Sequence, residues 1–287
     1  MLAIELTIQG IVQGAIYALI ALGLVLVYGL LRILHVAHAA LYTLGAYIGV
    51  IIVNQGGHIV VATAVSMVAV GFVGVGIYRF AYKPLLDKPP LIALIASIGL
   101  FIAAEEIYRI IFGAYGMSFV QPPLQQQIEL FKGFHLSTAR ISVVILAILF
   151  IGVLGWLAAS TRTGIAWRAT VSDAGMAASF GVNIEKVRYI NFFIGSALAA
   201  LAGVMVAMLN NLVEPTMGAV PAYKALAIIV LGGLGSVRGT LVASIALGII
   251  ESFGTIYLGH VMDRDAIAFT FLIIVLMIRP QGLLTRR

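Results

Sequence analysis

Three glutamates, Glu105, Glu106 and Glu251, sit inside stretches of sequence that are otherwise apolar. A carboxylate in such a place can relay a proton, hold an ion or close a hydrogen-bonded pair between helices. Left alone in hydrocarbon its charge costs about 2.5 kcal/mol or more. Arg109 follows Glu105 by four residues, so an i,i+4 ion pair along one helix is the simplest use of that carboxylate. Glu251 has no local partner of that kind, and a hydrogen bond to a neighbouring span is expected for it before a proton relay. His35 and His38 flank the turn after the first apolar run, where an imidazole ordinarily serves as a polar anchor.

Other chemistries are missing from the sequence. With no cysteine, disulfides, thiolate metal sites and thiol nucleophiles are excluded. No GxxxxGK[ST] phosphate loop occurs, and the glycine cluster "LGGLGSVRG" (231–239) fits neither that pattern nor GxGxxG. HExxH and GxSxG are absent, and no aspartate falls within an apolar run. The chain is therefore expected not to be an enzyme and to need no metal or cofactor.

The elements that position these residues are set by composition. Of 287 residues 62% are hydrophobic and only 10% charged, against roughly 25% charged in soluble domains, and the mean hydropathy is +1.12. This is the composition of an integral membrane protein. The net charge of +6 then places basic side chains at a membrane face and does not imply nucleic acid. The N-terminus, "MLAIELTIQG", lacks the basic start of a signal peptide, so the first apolar run is expected to stay as a membrane helix.

A helix needs about 20 apolar residues to cross a hydrocarbon core of ~30 Å. Runs at 8–31, 36–53, 59–80, 91–112, 141–159, 187–209 and 240–258 meet or approach that length, and 222–234 and 266–278 are shorter. The expected fold is an all-α polytopic bundle of about 8–9 membrane segments, one of them short or broken, in a single domain over 1–287. With the N-terminus outside, Arg32, Arg79, Lys83, Lys88, Arg162, Arg168, Lys186, Arg188, Arg238, Arg279, Arg286 and Arg287 fall on the cytoplasmic side. Arg109, Lys132, Arg140, Lys224 and Arg264 fall at or near the outside. Basic residues collect on the cytoplasmic side, so this asymmetry predicts N-terminus outside and C-terminus inside. It also favours 222–234 crossing, since otherwise the last three arginines would end outside.

Small residues recur at four-residue spacing in Gly10/Gly14, Gly45/Gly49 and Gly195/Ala199/Gly203. Such ladders let helix backbones approach closely in lipid, within one chain or between two copies. The longest outward loop is 113–140. The longest inward one, 161–188, is too polar to span and too ordered in pattern to be a slack linker.

Several phrases together resemble the branched-chain amino-acid ABC importer permeases of the LivH type. They are "QGAIYALIALGLVLVYG" (13–29) with "ALYTLGAY" (40–47), "DAGMAASFGVN" (173–183), "FIGSALAALAGVM" (193–205), "LGGLGSVRGTL" (231–241) and "RPQGLL" (279–284). They occur in the family's order over nearly the whole chain. The resemblance implies a permease subunit in a prokaryotic inner or plasma membrane that passes a small-molecule substrate. Its implied partners are ATP-binding cassette ATPase subunits, a second permease subunit, identical or homologous, and an extracytoplasmic solute-binding protein. It also implies that 161–188 carries a short helix that docks on an ATPase, with Asp173, Ala177 and Gly181 matching the D-x3-A-x3-G spacing of such loops. Residues four apart share a helical face, Asp suits a helix start and Gly a helix end. Where the family has Asn-Phe-Ala-His-Gly, this chain reads His35-Val36-Ala37-His38-Ala39, which leaves the substrate open among branched-chain amino acids, urea, short amides and other amino acids. An ion-coupled secondary transporter is the alternative, supported by Glu251 and the short 222–234 run. A non-transporting scaffold leaves 161–188 unexplained.

Overall fold

A computed structural model describes residues 2–131, 134–279 and 282. Lys132, Arg286 and Arg287 therefore lie outside the described residues. The chain forms α1 (Leu2–Leu31), α2 (His38–Asn54), α3 (Ile59–Ile77) with a π-helical turn at Tyr78–Tyr82, and α4 (Pro90–Phe112). A hairpin of β1 (Gln127–Phe131) and antiparallel β2 (Phe134–Ser137) follows. Then come α5 (Thr138–Ser160), α6 (Arg162–Ser172), α7 (Ala174–Ser179), α8 (Ile184–Asn210), α9 (Ala219–Gly232), α10 (Val237–Leu258) and α11 (Arg264–Ile278). Apart from that one hairpin, the expected all-α bundle is what forms.

Polar residues between the apolar runs start the helices. Ser137, Thr161, Asn183 and Ser236 each turn a side-chain oxygen onto a backbone N–H of the helix they precede, satisfying a donor that the helix leaves free. At α4 a proline takes the first position, where no N–H is needed. Among the described residues six helices are long and apolar enough to cross a membrane: α1, α3 with its extension, α4, α5, α8 and α10. The 17-residue α2 and 14-residue α9 span only about 25 and 21 Å at 1.5 Å per residue. Each is preceded by a non-helical stretch, 32–37 or 211–218, that runs against other helices, where irregular backbone can be satisfied by protein.

The bundle has a centre and a rim. In α1 and α8 78% of the apolar window is buried by protein, against 17% in α4 and α5. The rim helices show Ile92, Ile95, Ile102, Ile145 and Ile148 outward, as lipid contact requires. The small-residue ladders belong to the centre and serve packing inside this chain. A Cβ on Gly10 would stand 2.6 Å from Ile249 Cα, and one on Gly14 2.8 Å from Ile245 Cα, so α1 and α10 run antiparallel backbone to backbone. Gly45 meets Ala200 and Gly49 meets Val204, locking α2 to α8.

Two ends can be told apart. At the hairpin end, Asn54 at the close of α2 donates to Ser118 O (2.9 Å) and accepts from Val120 N (3.0 Å). Asn211, past the close of α8, accepts from Phe119 N at 3.1 Å, and Met117 bridges Val213. The 117–120 stretch is thus tied down over the ends of α2 and α8. At the opposite end lie α6 and α7. There Val171 of α6 faces Gly29 of α1, and Lys83 after α3 pairs with Glu185 of α8 at 2.6 Å.

Candidate functional site

Towards the hairpin end, six side chains from four helices form one polar network. Glu251 of α10 is fully buried and sits 2.9 Å from Lys224 Nζ of α9. Its other oxygen accepts from Tyr17 OH of α1 (2.6 Å) and Arg264 Nε of α11 (2.8 Å). Lys224, 3% exposed, also reaches Asp265 at 3.0 Å and donates to Tyr17 OH at 3.0 Å. Tyr223 OH closes the group on Asp265. Two cations face two carboxylates, which offsets the several kcal/mol that each charge would cost if buried alone.

The network borders a cavity of about 380 Å³ among α1, α8, α9 and α11. A second space of about 300 Å³ adjoins it and shares Gln13, Asn210 and Arg264. Gln9, Gln13 and Tyr17 of α1 thus line one polar vestibule.

Glu251 has the interhelical partner expected of it. That partner was not legible in the chain, although Lys224 carried a signal: it is an ionisable residue inside an apolar helix. Lys224 and Arg264, expected at or near the outside, both belong to this network towards the hairpin end. The Glu105–Arg109 pair is not formed. Arg109 turns to Glu106 at 3.0 Å, and both side chains are about half exposed, at 46% and 53%. On a helix i,i+3 neighbours are as near as i,i+4, and Glu105 keeps one oxygen buried on the inner side.

The histidines are not interfacial anchors either, because both are buried in the bundle. His35 Nδ1 lies 2.6 Å from Tyr82 OH, and His38 Nε2 lies 3.1 Å from Ile20 O. A carbonyl can only accept, so His38 carries its proton on Nε2. Gly23 makes room for that ring: a Cβ there would stand 2.8 Å from His38 Cε1 and 2.6 Å from Gly195 O.

In the α6–α7 segment, Asp173 caps α7 by accepting from Met176 N at 2.9 Å. Gly181, at φ +83°, ends the helix: its N–H reaches Ala178 O and that of Val182 reaches Ala177 O, the paired bonds of a Schellman closure. The Ala177 side chain needs a correction. It is 4% exposed, turned into the chain, and cannot form the flat surface a partner would meet. The large apolar side chains exposed here are Met176 (61%) and Phe180 (82%). Of the three residues at four-residue spacing, Asp173 and Gly181 flank α7 and are exposed, and Ala177 alone turns inward.

Comparison with known proteins gives this architecture its place. Residues 6–278 match the family described as branched-chain amino acid transport system / permease component. The chain is 32% identical to the high-affinity branched-chain amino acid transport system permease protein LivH of Escherichia coli strain K12, covering 97% of this chain and 94% of that one. It is 31% identical to the corresponding permease protein BraD of Pseudomonas aeruginosa, with the same coverage. Among solved structures, PsaBC from Streptococcus pneumoniae in complex with Fab aligns over 96% of this chain and 91% of that one, with a TM-score of 0.51 at 14% identity; that likeness supports the fold alone. From α1 to α11 the chain belongs to the branched-chain amino acid transport permease family, as a multi-pass membrane permease component and not an enzyme.

Proposed function

We propose that the chain is one of two permease subunits of an ATP-driven importer of branched-chain amino acids. The observation that carries this reading is the family match over residues 6–278, joined to relatives named for that transport. The N-terminus and the hairpin end face outside, and α6, α7 and the C-terminus face the cytoplasm. A solute-binding protein delivers substrate at the hairpin end, above the vestibule, and two ATPase subunits engage the opposite end. Segment 161–188 is the coupling loop. Asp173 and Gly181 fix where its short helix begins and ends, Ala177 seats it on the bundle, and Met176 and Phe180 are what an ATPase groove would receive. Whether the second permease is identical or homologous does not alter this scheme.

The ion-coupled alternative loses its footing, because both Glu251 oxygens are engaged by cations, which leaves that carboxylate no free oxygen to carry a proton. The test is uptake of L-leucine into proteoliposomes holding the complete complex and its binding protein. Uptake should require enclosed magnesium-ATP and survive collapse of ion gradients. Uptake driven by a proton or sodium gradient without ATP would overturn the proposal.

A further inference from the structure

The network described above is closed on itself, and that decides which polar groups are free to meet a ligand. An ammonium group has three N–H donors, and Lys224 directs its three contacts at Glu251, Asp265 and Tyr17. Glu251 is engaged through both oxygens by Lys224, Arg264 and Tyr17. Asp265 is engaged through both by Lys224 and Tyr223. Two charged groups on the cavity are left with capacity. Arg264 uses Nε on Glu251, and among the described residues no hydrogen bond or ion pair holds its two terminal nitrogens. Glu214, exposed between α8 and α9, lines the same cavity with no such partner for its carboxylate among the described residues.

We infer that this cavity is a low-affinity station for an α-amino-acid zwitterion within the permease, with the substrate carboxylate on Arg264 and its ammonium on Glu214. The inference rests on the proposed transport function and adds a ligand site to it. The Nε contact to buried Glu251 fixes the plane of the guanidinium, leaving its terminal N–H groups as a preformed fork of the kind that receives a carboxylate in two parallel bonds. Much of the remaining wall is apolar, formed by Ile16, Ile20, Val206, Leu212, Met217 and Val220, with the uncharged polar groups of Gln13 and Asn210 beside it. The apolar part suits a hydrocarbon side chain. A volume of about 380 Å³ lies at the small end of the roughly 300–1,000 Å³ found for small-molecule pockets, as a single amino acid requires. Glu214 and Arg264 come from different elements, so relative movement of α8 and α11 would separate the two halves of the site and release the ligand.

The test measures equilibrium binding of L-leucine, L-leucinamide and 4-methylpentanoate to the permease–ATPase complex in nanodiscs without the binding protein. Wild-type complex should bind leucine and discriminate against leucinamide, which lacks the carboxylate, and against 4-methylpentanoate, which lacks the ammonium. Glu214→Gln should weaken leucine about tenfold to a hundredfold, the loss expected for one hydrogen bond to a charged group. The same variant should improve 4-methylpentanoate, because an unpaired carboxylate no longer repels it. General damage would weaken both ligands, so opposite signs separate recognition from folding; unliganded thermal stability should be unchanged. Equal leucine binding by wild type and Glu214→Gln, parallel loss of both ligands, or no leucine binding by a wild-type complex that transports leucine would each overturn the site. Failure of the wild-type complex to transport any branched-chain amino acid would instead overturn the transport reading.

Discussion

Replacing Lys224 by Met removes the centre of the buried network and keeps the helix. Breaking a buried ion pair from one side costs about 3–5 kcal/mol, because the other charge stays buried. Here Glu251 Oε2 keeps Arg264 at 2.8 Å and Tyr17 at 2.6 Å, and only Oε1 is orphaned, so the low end near ~3 kcal/mol applies. Asp265, 36% exposed on its side chain, recovers its lost contact from water. Glu251→Gln should cost a similar amount, since it strips one of two counter-charges from a lysine that is itself 4% exposed and removes the partner of Arg264. The double variant Lys224→Met/Glu251→Gln contains neither buried orphan and should cost little more than one single, a coupling of up to about 3 kcal/mol. At roughly 2–4 °C per kcal/mol for chains of this size class, each single should lower the melting temperature by about 6–12 °C. The double should fall far short of the sum. Fluorescence-detected size exclusion after heating at one fixed scan rate, needed because such unfolding is irreversible, measures all four proteins alike. If the double variant loses the sum of the two singles, the side chains are not coupled and the network as described is wrong.

Gly14→Leu should abolish a stable, monodisperse protein because its side chain would meet the backbone of α10 at Ile245. Gly152→Leu on α5, where a Cβ meets nothing within 4 Å, should leave expression and size-exclusion profiles as in wild type. Single cysteines at Gln126 and Ser172, both exposed in a cysteine-free chain, should label oppositely: an impermeant maleimide on intact cells should modify the first and spare the second, and the reverse would invert the topology. Phe180→Asp should release the ATPase subunits on co-purification while the permease keeps its melting temperature, since that side chain is 82% exposed. Ala177→Arg should lower the melting temperature as well, because its site is inside the chain; an unchanged melting temperature there would show that the face points outward after all.

The sequence exposed different parts of this molecule to different degrees, and the reason is which solvent each part faces. Rim helices such as α4 and α5 face lipid along most of their surface, so unbroken hydropathy marks them cleanly. α1 is largely surrounded by protein along its middle, but its first turn is exposed and carries Glu5. Its start was therefore placed at residue 8, whereas the helix begins at Leu2. Glu5 hides those turns from a hydropathy reading.

Ladders of small residues did mark the centre. Gly10, Gly14, Gly45 and Gly195 all sit at helix crossings, while Gly152 and Gly155 on the rim touch nothing. Spacing alone cannot separate these cases, since it reports which residues share a face and not what the face meets. The same limit explains Ala177, whose turn inward depends on how α7 sits on the bundle. It also explains the charge network, which joins Tyr17 to Glu251 across 234 positions. No local rule pairs residues so far apart. What local chemistry does require is that a carboxylate in an apolar helix find a cation somewhere, and this chain has few to choose from inside its spans. Among the described residues Lys224 is the lysine that is buried, and a buried carboxylate and a buried ammonium are complementary whatever their distance along the chain.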